Sequence, residues 1–388
     1  MSTRTRTLRL GTRGSDLALR QAATVRESLQ SRRFEVELVE VETTGDQLTD
    51  ERIQDLGKTG AFVRNLDDGV LSGDLDAAVH SMKDMPTEMP DDLVVAGVPE
   101  RASARDVLVT PDGTDLEDLP SEATVGTSSL RRRAQLLAER PDLDVEPLRG
   151  NVDTRIEKLL APSRQREYQR RLDAEESEGE EGDGDAEDLP DYDRTVEEWF
   201  NDLAEIERRA LEREVDTKYD AIVLAEAGLE RAGLLHHVDH QRLSPDRFVP
   251  APGQGTLAIT AADGDLAGDL RETLDHAPTR VEATVERTVL AELGGGCIAP
   301  IGIYAVLRGA VVRVTVRVLD RDGENEIRET RELPVQRHAA AAAEFAADLA
   351  DRGAADIIAE ARRAAEADAS ATRAESGGDA DPSEGEDA

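Results

Sequence analysis

The architecture of this chain is legible in Gly73-Asp74-Leu75-Asp76-Ala77-Ala78-Val79-His80-Ser81-Met82-Lys83-Asp84-Met85-Pro86. Residues 73–79 are a short apolar run bounded by turn formers, which reads as a buried strand. Directly after it come a base, an acid and a proline: Lys83, Asp84 and Pro86. The C-terminal end of a strand is the crevice where open α/β sheets bind ligands. A lone Lys-Asp pair in a loop is ordinarily just solvated, so the reading depends on the stretches around it.

Upstream, 7–11 reads as a strand, and Ser15 caps a helix over 16–31 with apolar Leu17, Leu19, Ala22, Ala23 and Val25. A second strand over 34–42 alternates Phe34, Val36 and Leu38 with acids. A loop bracketed by Gly57 and Gly60 precedes a helix that ends before Gly73. Downstream, 94–98 and 106–110 are apolar strands separated by the charged turn 99–105, a natural crossover between two domains. A second α/β unit follows: strand 123–126, helix 128–140, strand 145–148, helix 153–160 and the buried strand 219–225. Such alternation argues a mostly parallel sheet with helices on both faces. Gly253-Gln254-Gly255 leads into a strand over 256–260 that returns the chain to the first domain.

The last section has another order. A helix over 279–293 is stopped by Gly294, three strands follow near 301–307, 310–319 and 326–334, and an Ala-rich helix spans 338–366. The expected fold class is α/β: two doubly wound domains around a cleft, plus a small α+β C-terminal domain. The domains are 1–99 with 250–275, then 105–249, then 277–366. Residues 367–388 are Gly-, Ser- and acid-rich, and the reading leaves them disordered. An insertion at about 161–217 has two parts. Residues 173–193 hold twelve acids and no base and should stay disordered. Thr195 and Glu198 form a capping box that opens a single helix to 214. Val196, Trp199, Phe200, Leu203, Ile206 and Ala210 give it one apolar stripe, which should dock on the body of the protein with Trp199 buried.

The 388 residues carry 84 acids against 47 bases, a formal net charge of -37, and only Lys58, Lys83, Lys158 and Lys218 among the bases are lysines. Acids spread along the whole chain suggest a surface kept soluble in strong salt, where the Debye length falls to about 3 Å at 1 M. The plainer alternative is an acidic protein with disordered tails. One cysteine excludes an intrachain disulfide. No apolar run approaches the roughly 20 residues of a membrane span, and residues 1–9 lack the apolar core of a secretory signal. The expectation is a cytoplasmic protein without membrane partners. No basic stripe offsets the acidic field, so nucleic acid is not an expected partner.

Four further stretches carry chemistry of the same kind. They are Thr12-Arg13-Gly14-Ser15, Gly126-Thr127-Ser128-Ser129-Leu130-Arg131-Arg132, Leu148-Arg149-Gly150-Asn151-Val152-Asp153-Thr154-Arg155 and Gly294-Gly295-Gly296-Cys297. A strand-to-helix turn presents free N–H groups and positive potential to anions, and Arg forks add bidentate carboxylate recognition. Each turn alone reads equally as capping hydroxyls with surface arginines. Two such turns plus Arg149 and Arg155 suggest a locally basic cleft, suited to a substrate with several carboxylates. A single Cys such as Cys297 is more often an inert small hydrophobe than a nucleophile. His80 reads as structural rather than as a general base. The six histidines show no metal-ligand spacing, so no metal is expected.

Taken in order, these stretches closely resemble the hydroxymethylbilane synthases, or porphobilinogen deaminases, of tetrapyrrole and heme biosynthesis. The resemblance runs from about 7 to 160 and resumes from about 218 to 365. It implies a transferase whose first two domains are similar to type II solute-binding proteins. It implies a dipyrromethane cofactor joined to Cys297 by a thioether, because Gly295-Gly296-Cys297-Ile298-Ala299-Pro300 matches the family's Gly-Gly-Cys-x-x-Pro. Asp84 is the implied catalytic carboxylate. Lys83, Thr127, Ser129, Arg131, Arg132 and Arg155 are implied for the cofactor, and Arg13, Ser15, Arg149 and Arg155 for the substrate, porphobilinogen, handled by a monomer. Arg131 and Arg149 should be replaceable without loss of folding. Two departures stand out: Lys58 is offset by one position in its loop, and the acid preceding the Gly-Gly-Cys turn is replaced. The rival reading is a carboxylate-binding protein of the solute-binding type, which would be exported and would need no anchored thiol.

Overall fold

The computed structural model describes residues 6–30, 34–41, 61–179, 192–294 and 299–376. The chain opens with β1 (Arg6–Arg13), α1 (Asp16–Gln30), β2 (Phe34–Val41), α2 (Ala61–Ser72), β3 (Ala77–Ser81) and β4 (Leu93–Gly97). It crosses to a second unit with β5 (Asp106–Val109), β6 (Thr124–Gly126), α3 (Leu130–Glu139), β7 (Asp144–Glu146) and α4 (Val152–Gly179). That unit continues through α5 (Val196–Asp202), α6 (Glu205–Leu211), β8 (Ala221–Ala225), α7 (Glu226–Ala232) and β9 (His240–Arg242). The chain then returns with β10 (Leu257–Ala262) and α8 (Asp265–Leu274). A third unit holds α9 (Ala277–Glu292), β11 (Ile301–Arg308), β12 (Val311–Leu319), β13 (Glu326–Pro334), α10 (His338–Leu349) and α11 (Ala355–Ser376).

Each α/β unit is built on a five-stranded sheet, ordered β2-β1-β3-β10-β4 in the first and β7-β6-β8-β5-β9 in the second. Each sheet is mostly parallel, as the sequence reading expected, with a single strand reversed. In the first, β10 runs antiparallel to β3 and β4; in the second, β5 runs antiparallel to β8 and β9. The cause is the crossover. Strands joined by helices within a unit leave the sheet at the crevice end, whereas a strand arriving from the other unit enters there and must run away from it. Leu257, the first residue of β10, accordingly pairs with Ser81, the last residue of β3.

Period-two burial covers both faces of each sheet, as a doubly wound layer requires. In the second unit Val107, Val109, Ile222 and Leu224 face Ile156 and Leu159 of α4. Leu108, Ala221 and Val223 face Leu136 of α3. In the first unit Leu8, Leu10, Val79 and Ile259 pack with Val25 of α1 and Leu270 of α8, while Ala78 meets Leu66 and Val70 of α2. The third unit lays α9 and α10 against a three-stranded antiparallel sheet around fully buried Phe345.

Several local expectations need correcting. Residues 73–76 are a turn rather than strand, because Arg9 N donates to Asp76 Oδ2 at 2.7 Å and Leu75 N to Gly69 O at 2.9 Å. The strand is β3, and it takes in His80 and Ser81. The helix expected to stop at 160 continues to Gly179 through Pro162. Beyond that proline it packs on α6, where Gln165 Nε2 donates to Leu211 O at 3.2 Å and Arg213 O at 2.7 Å. Residues 173–179 are therefore helical, and Glu175 Oε1 accepts from Val196 N at 2.6 Å. The single helix expected over 195–214 is two short ones, α5 and α6, broken at extended Leu203 and Ala204. Trp199 is half-buried, stacked on Tyr168 at 6.2 Å between ring centroids. The helix expected over 338–366 breaks at Gly353 (φ 103°), and α11 then carries helix ten residues into the segment read as a disordered tail, on an Ala-rich run of strong helix formers. Residues 377–388 and 180–191 lie outside the described residues. No described helix is long and apolar enough to cross a membrane, and no described group of three or more His, Cys, Asp or Glu is placed to hold a metal ion.

Candidate active site

At the crevice end of β3, residues 82–84 form one tight turn closed by Met85 N donating to Met82 O at 3.2 Å. Met82 N donates to Thr256 O at 3.0 Å, so the returning chain pins the turn. Met82 and Met85 are buried, which leaves Lys83 and Asp84 facing outward. Lys83 Nζ donates to Asp84 Oδ1 at 2.7 Å, and the Asp84 side chain is 50% exposed. Beneath the turn, buried His80 places Nε2 3.0 Å from Thr260 Oγ1 and 3.1 Å from Asp67 Oδ1. It braces β3 to β10 and α2.

Also from the first unit come the end of β1 and the start of α1. Arg13 is half-buried, and Ser15 Oγ accepts from Ala18 N at 3.4 Å as a loose helix cap. Asp16, Leu17 and Arg20 of α1 line a small pocket together with Asn151, Val152 and Asp153 at the start of α4. Two helix N-termini from different units thus meet across the cleft.

The second unit supplies the basic wall. Ser129 Oγ accepts from Arg132 N at 3.4 Å, and buried Thr127 accepts from Ser129 N at 3.2 Å. Ser128 Oγ donates to Leu148 O at 2.7 Å and ties the two strand-to-helix turns together. The second turn needs Gly150, which lies at φ 111° with Thr154 where a Cβ would stand. Arg155 Nε donates to Gly150 O at 2.8 Å. Burial, and then the like charges of Arg132 and Arg149, pull the Arg155 guanidinium down to about 10. A buried guanidinium with two others close enough to pull it down marks a site built for anions.

Arg131 and Arg132 are held from inside. Asp106, 0% exposed, takes Arg131 Nη2 at 2.8 Å on one oxygen and Arg132 Nε and Nη2 at 3.0 and 2.8 Å on the other. Burial opposes the Asp106 charge, but the two guanidiniums outweigh it and keep the carboxyl below its usual range. Arg131 is therefore buried, and Arg131→Leu would leave Asp106 with Arg132 alone, a cost in stability that the sequence reading did not include. Asp106 escaped the sequence reading. Its only signal is an acid opening an apolar strand directly after a crossover.

The donor set suits a polycarboxylate cofactor. Besides the strained Arg155 cluster, Arg131 Nε is a buried donor with no acceptor in the structure. Cys297 and Lys58 lie outside the described residues, so the loop 295–298 and the displaced lysine have no structural account. A larger groove of about 710 Å³ runs along residues 99–103, α1 and α7, and none of the site residues read from the sequence lines it.

Residues 8–169 and 205–268 match the family model described as porphobilinogen deaminase, dipyromethane cofactor binding domain, and residues 280–352 match the porphobilinogen deaminase C-terminal domain. The first match skips 170–204, a narrower gap than the insertion read from the sequence. A protein of Halobacterium salinarum named "probable porphobilinogen deaminase" is 54% identical over 388 residues, covering 92% of this chain and 98% of its own. One of the same name from Methanococcoides burtonii is 37% identical over 354 residues, covering 91% and 96%. A porphobilinogen deaminase of an Exiguobacterium is 37% identical over 325 residues, covering 83% and 88%. Likeness to solved structures is distant, as with a TRAP solute binding protein at a TM-score of 0.30 and 10% identity over 93% of this chain and 98% of that one.

Proposed function

The chain belongs to the porphobilinogen deaminase family, and we propose that its two-walled cleft extends a dipyrromethane primer anchored on Cys297. The activity is that of hydroxymethylbilane synthase, a transferase of porphyrin biosynthesis. Four porphobilinogen molecules are joined head to tail with loss of ammonia at each step, and water then frees the linear tetrapyrrole. The bound dipyrromethane supplies the tethered acceptor carbon. The rival reading as a carboxylate-binding protein is not favoured.

The roles of the residues follow from their placement. Loss of ammonia breaks a carbon–nitrogen bond of the incoming porphobilinogen and leaves an azafulvene whose positive charge rests on the pyrrole nitrogen. Asp84, an exposed carboxylate oriented by Lys83, stabilises that charge and takes the proton released when the new carbon–carbon bond forms. Opposite it, Arg132, Arg149 and Arg155 hold the acetate and propionate groups, with Arg131, Thr127 and Ser129 behind them, which fixes the reacting carbons. Arg13 and Ser15 at the start of α1 close the anion site from the first unit. We place the protein in the cytoplasm of a salt-adapted cell as a monomer, supported by its net charge of -37.

The observation that carries this reading is the exposed Asp84 at the crevice end of the first unit together with Arg155 of the second, whose guanidinium feels the charges of Arg132 and Arg149. Intact-mass measurement of the purified protein tests it. The protein should weigh more than its sequence by one dipyrromethane, and Cys297→Ala should lose both the added mass and turnover. A wild-type protein that is active at its bare sequence mass would overturn the anchoring.

A further inference from the structure

The arginine wall is connected to the third unit through buried hydrogen bonds that the chemistry above does not use. Gln254 is 1% exposed and sits at the junction. Its Nε2 donates to Asp106 Oδ1 at 3.0 Å and to Ala104 O at 2.6 Å, while its Oε1 accepts from Arg131 Nη2 at 3.3 Å. Its main-chain oxygen accepts from Arg101 Nε at 2.8 Å. The Arg101 fork lies on Glu286 of α9, at 2.7 and 3.2 Å. Glu286, 0% exposed, also accepts from Gly253 N at 2.6 Å and from Ala305 N of β11 at 2.8 Å.

The path Glu286–Arg101–Gln254–Asp106–Arg131 therefore runs from the third unit, through both crossover segments, to the arginines of the second. The crossovers touch backbone to backbone. Gly255 lies at φ 82°, and a Cβ there would meet Ala102 O and Ser103 O at 2.7 Å. Along the flank of the first crossover lies the groove of about 710 Å³, lined by Pro99, Arg101 and Ser103. On that side hydrogen bonds, rather than packing, hold the segment.

We propose that Gln254 and Arg101 are positioning residues for elongation, setting where Arg131 and Arg132 stand relative to the unit that carries the Cys297 loop. The inference rests on the function proposed above. Helix α9 ends at Glu292, five residues before Cys297 in the sequence, so Glu286 and the anchor belong to the same third unit. The carboxylate grips sit on the second unit. A chain that lengthens between a fixed anchor and fixed grips changes its span at every addition. The two units must then shift in register, and a misplacement of about 1 Å at a reacting centre can cost about 10²-fold in rate.

Gln254→Met removes the amide at nearly constant volume, and Arg101→Lys keeps the buried charge while losing the fork and the bond to Gln254. Both variants should purify with the primer attached, as read by intact mass. On mixing with porphobilinogen, kcat should fall at least about tenfold with KM within about threefold of wild type, and the covalent species should stall at short chain lengths. A lowered Tm with wild-type kcat and a wild-type ladder of masses would make these residues merely structural and overturn the proposal, as would loss of the primer. Where Gln254→Met fails to fold, Arg101→Lys carries the test. Failure of the wild-type control to show any ladder would instead overturn the function on which the inference rests.

Discussion

The two α/β units share a plan and present opposite chemistry to the cleft. In the first, the crevice end of β3 offers an exposed carboxylate on a three-residue turn, touched by one exposed ammonium. In the second, the end of β6 leads into two guanidiniums braced from within by a fully buried carboxylate, and the chain after β7 supplies Arg155, bonded to Gly150 O. In the role proposed for it, Asp84 is lightly held and wet, so it can meet a cation that appears only during reaction. The proposed grip is built in advance, with Arg131 and Arg132 buried on Asp106 and Arg155 held close to like charges. The difference teaches that activity and stability are lodged in opposite walls, so mutations should separate them.

The largest effect is expected at the buried brace. Asp106→Asn leaves two inward-facing guanidiniums without their counter-charge and should cost about 3–5 kcal/mol in urea unfolding. Loss of less than about 1 kcal/mol would dissolve the contrast between the walls. Asp84→Asn should do the reverse: turnover falls by about 10²–10³. Its stability should stay within about 1 kcal/mol of wild type, because the exposed pair with Lys83 is worth little.

The strain on Arg155 gives a pH test. Its folded value, near 10, lies below the ordinary guanidinium range, so below pH 10 the charged group costs stability, and that cost is relieved as pH climbs above 10. Carboxylates of the bound primer offset the same cost only while Arg155 is charged. The loaded protein should therefore melt above Cys297→Ala at neutral pH, with the gap narrowing above pH 10. A gap that is constant across this range would detach Arg155 from the cofactor. The smallest effect is expected far from the cleft. Half-buried Trp199, stacked on Tyr168 of α4, should cost about 1–2 kcal/mol on replacement by Ala and leave kcat untouched.

Much of this contrast could be read from residue order. Apolar runs ending in Gly, Ser or Thr before a helix placed Thr127, Ser129 and Arg155 at crevice ends, and the Lys83-Asp84 turn emerged from the strand before it. What escaped were partners distant in sequence. Asp106, Gln254 and Glu286 act only because two crossovers bring them together, and one buried carboxylate among 84 acids has no local mark. The reversal of β5 and β10 escaped for the same reason, since apolar content does not say from which unit a strand enters. The extension of α4 through Pro162 was hidden by the proline, which ordinarily breaks a helix and here is outweighed by docking of α6. The acids after 172 looked like disorder, yet Glu175 caps α5.

The division of labour between the walls is tested most directly by resolving covalent masses in a single turnover. Wild type and Asp84→Asn, both purified with the primer attached, would be mixed with porphobilinogen and quenched over time. Wild type should climb through successive additions, while Asp84→Asn should remain at or near the primer mass with an unchanged unfolding midpoint. An Asp84→Asn protein that climbs at the wild-type pace, or that arrives without its primer, would contradict the assignment of chemistry to the exposed wall and grip to the buried one.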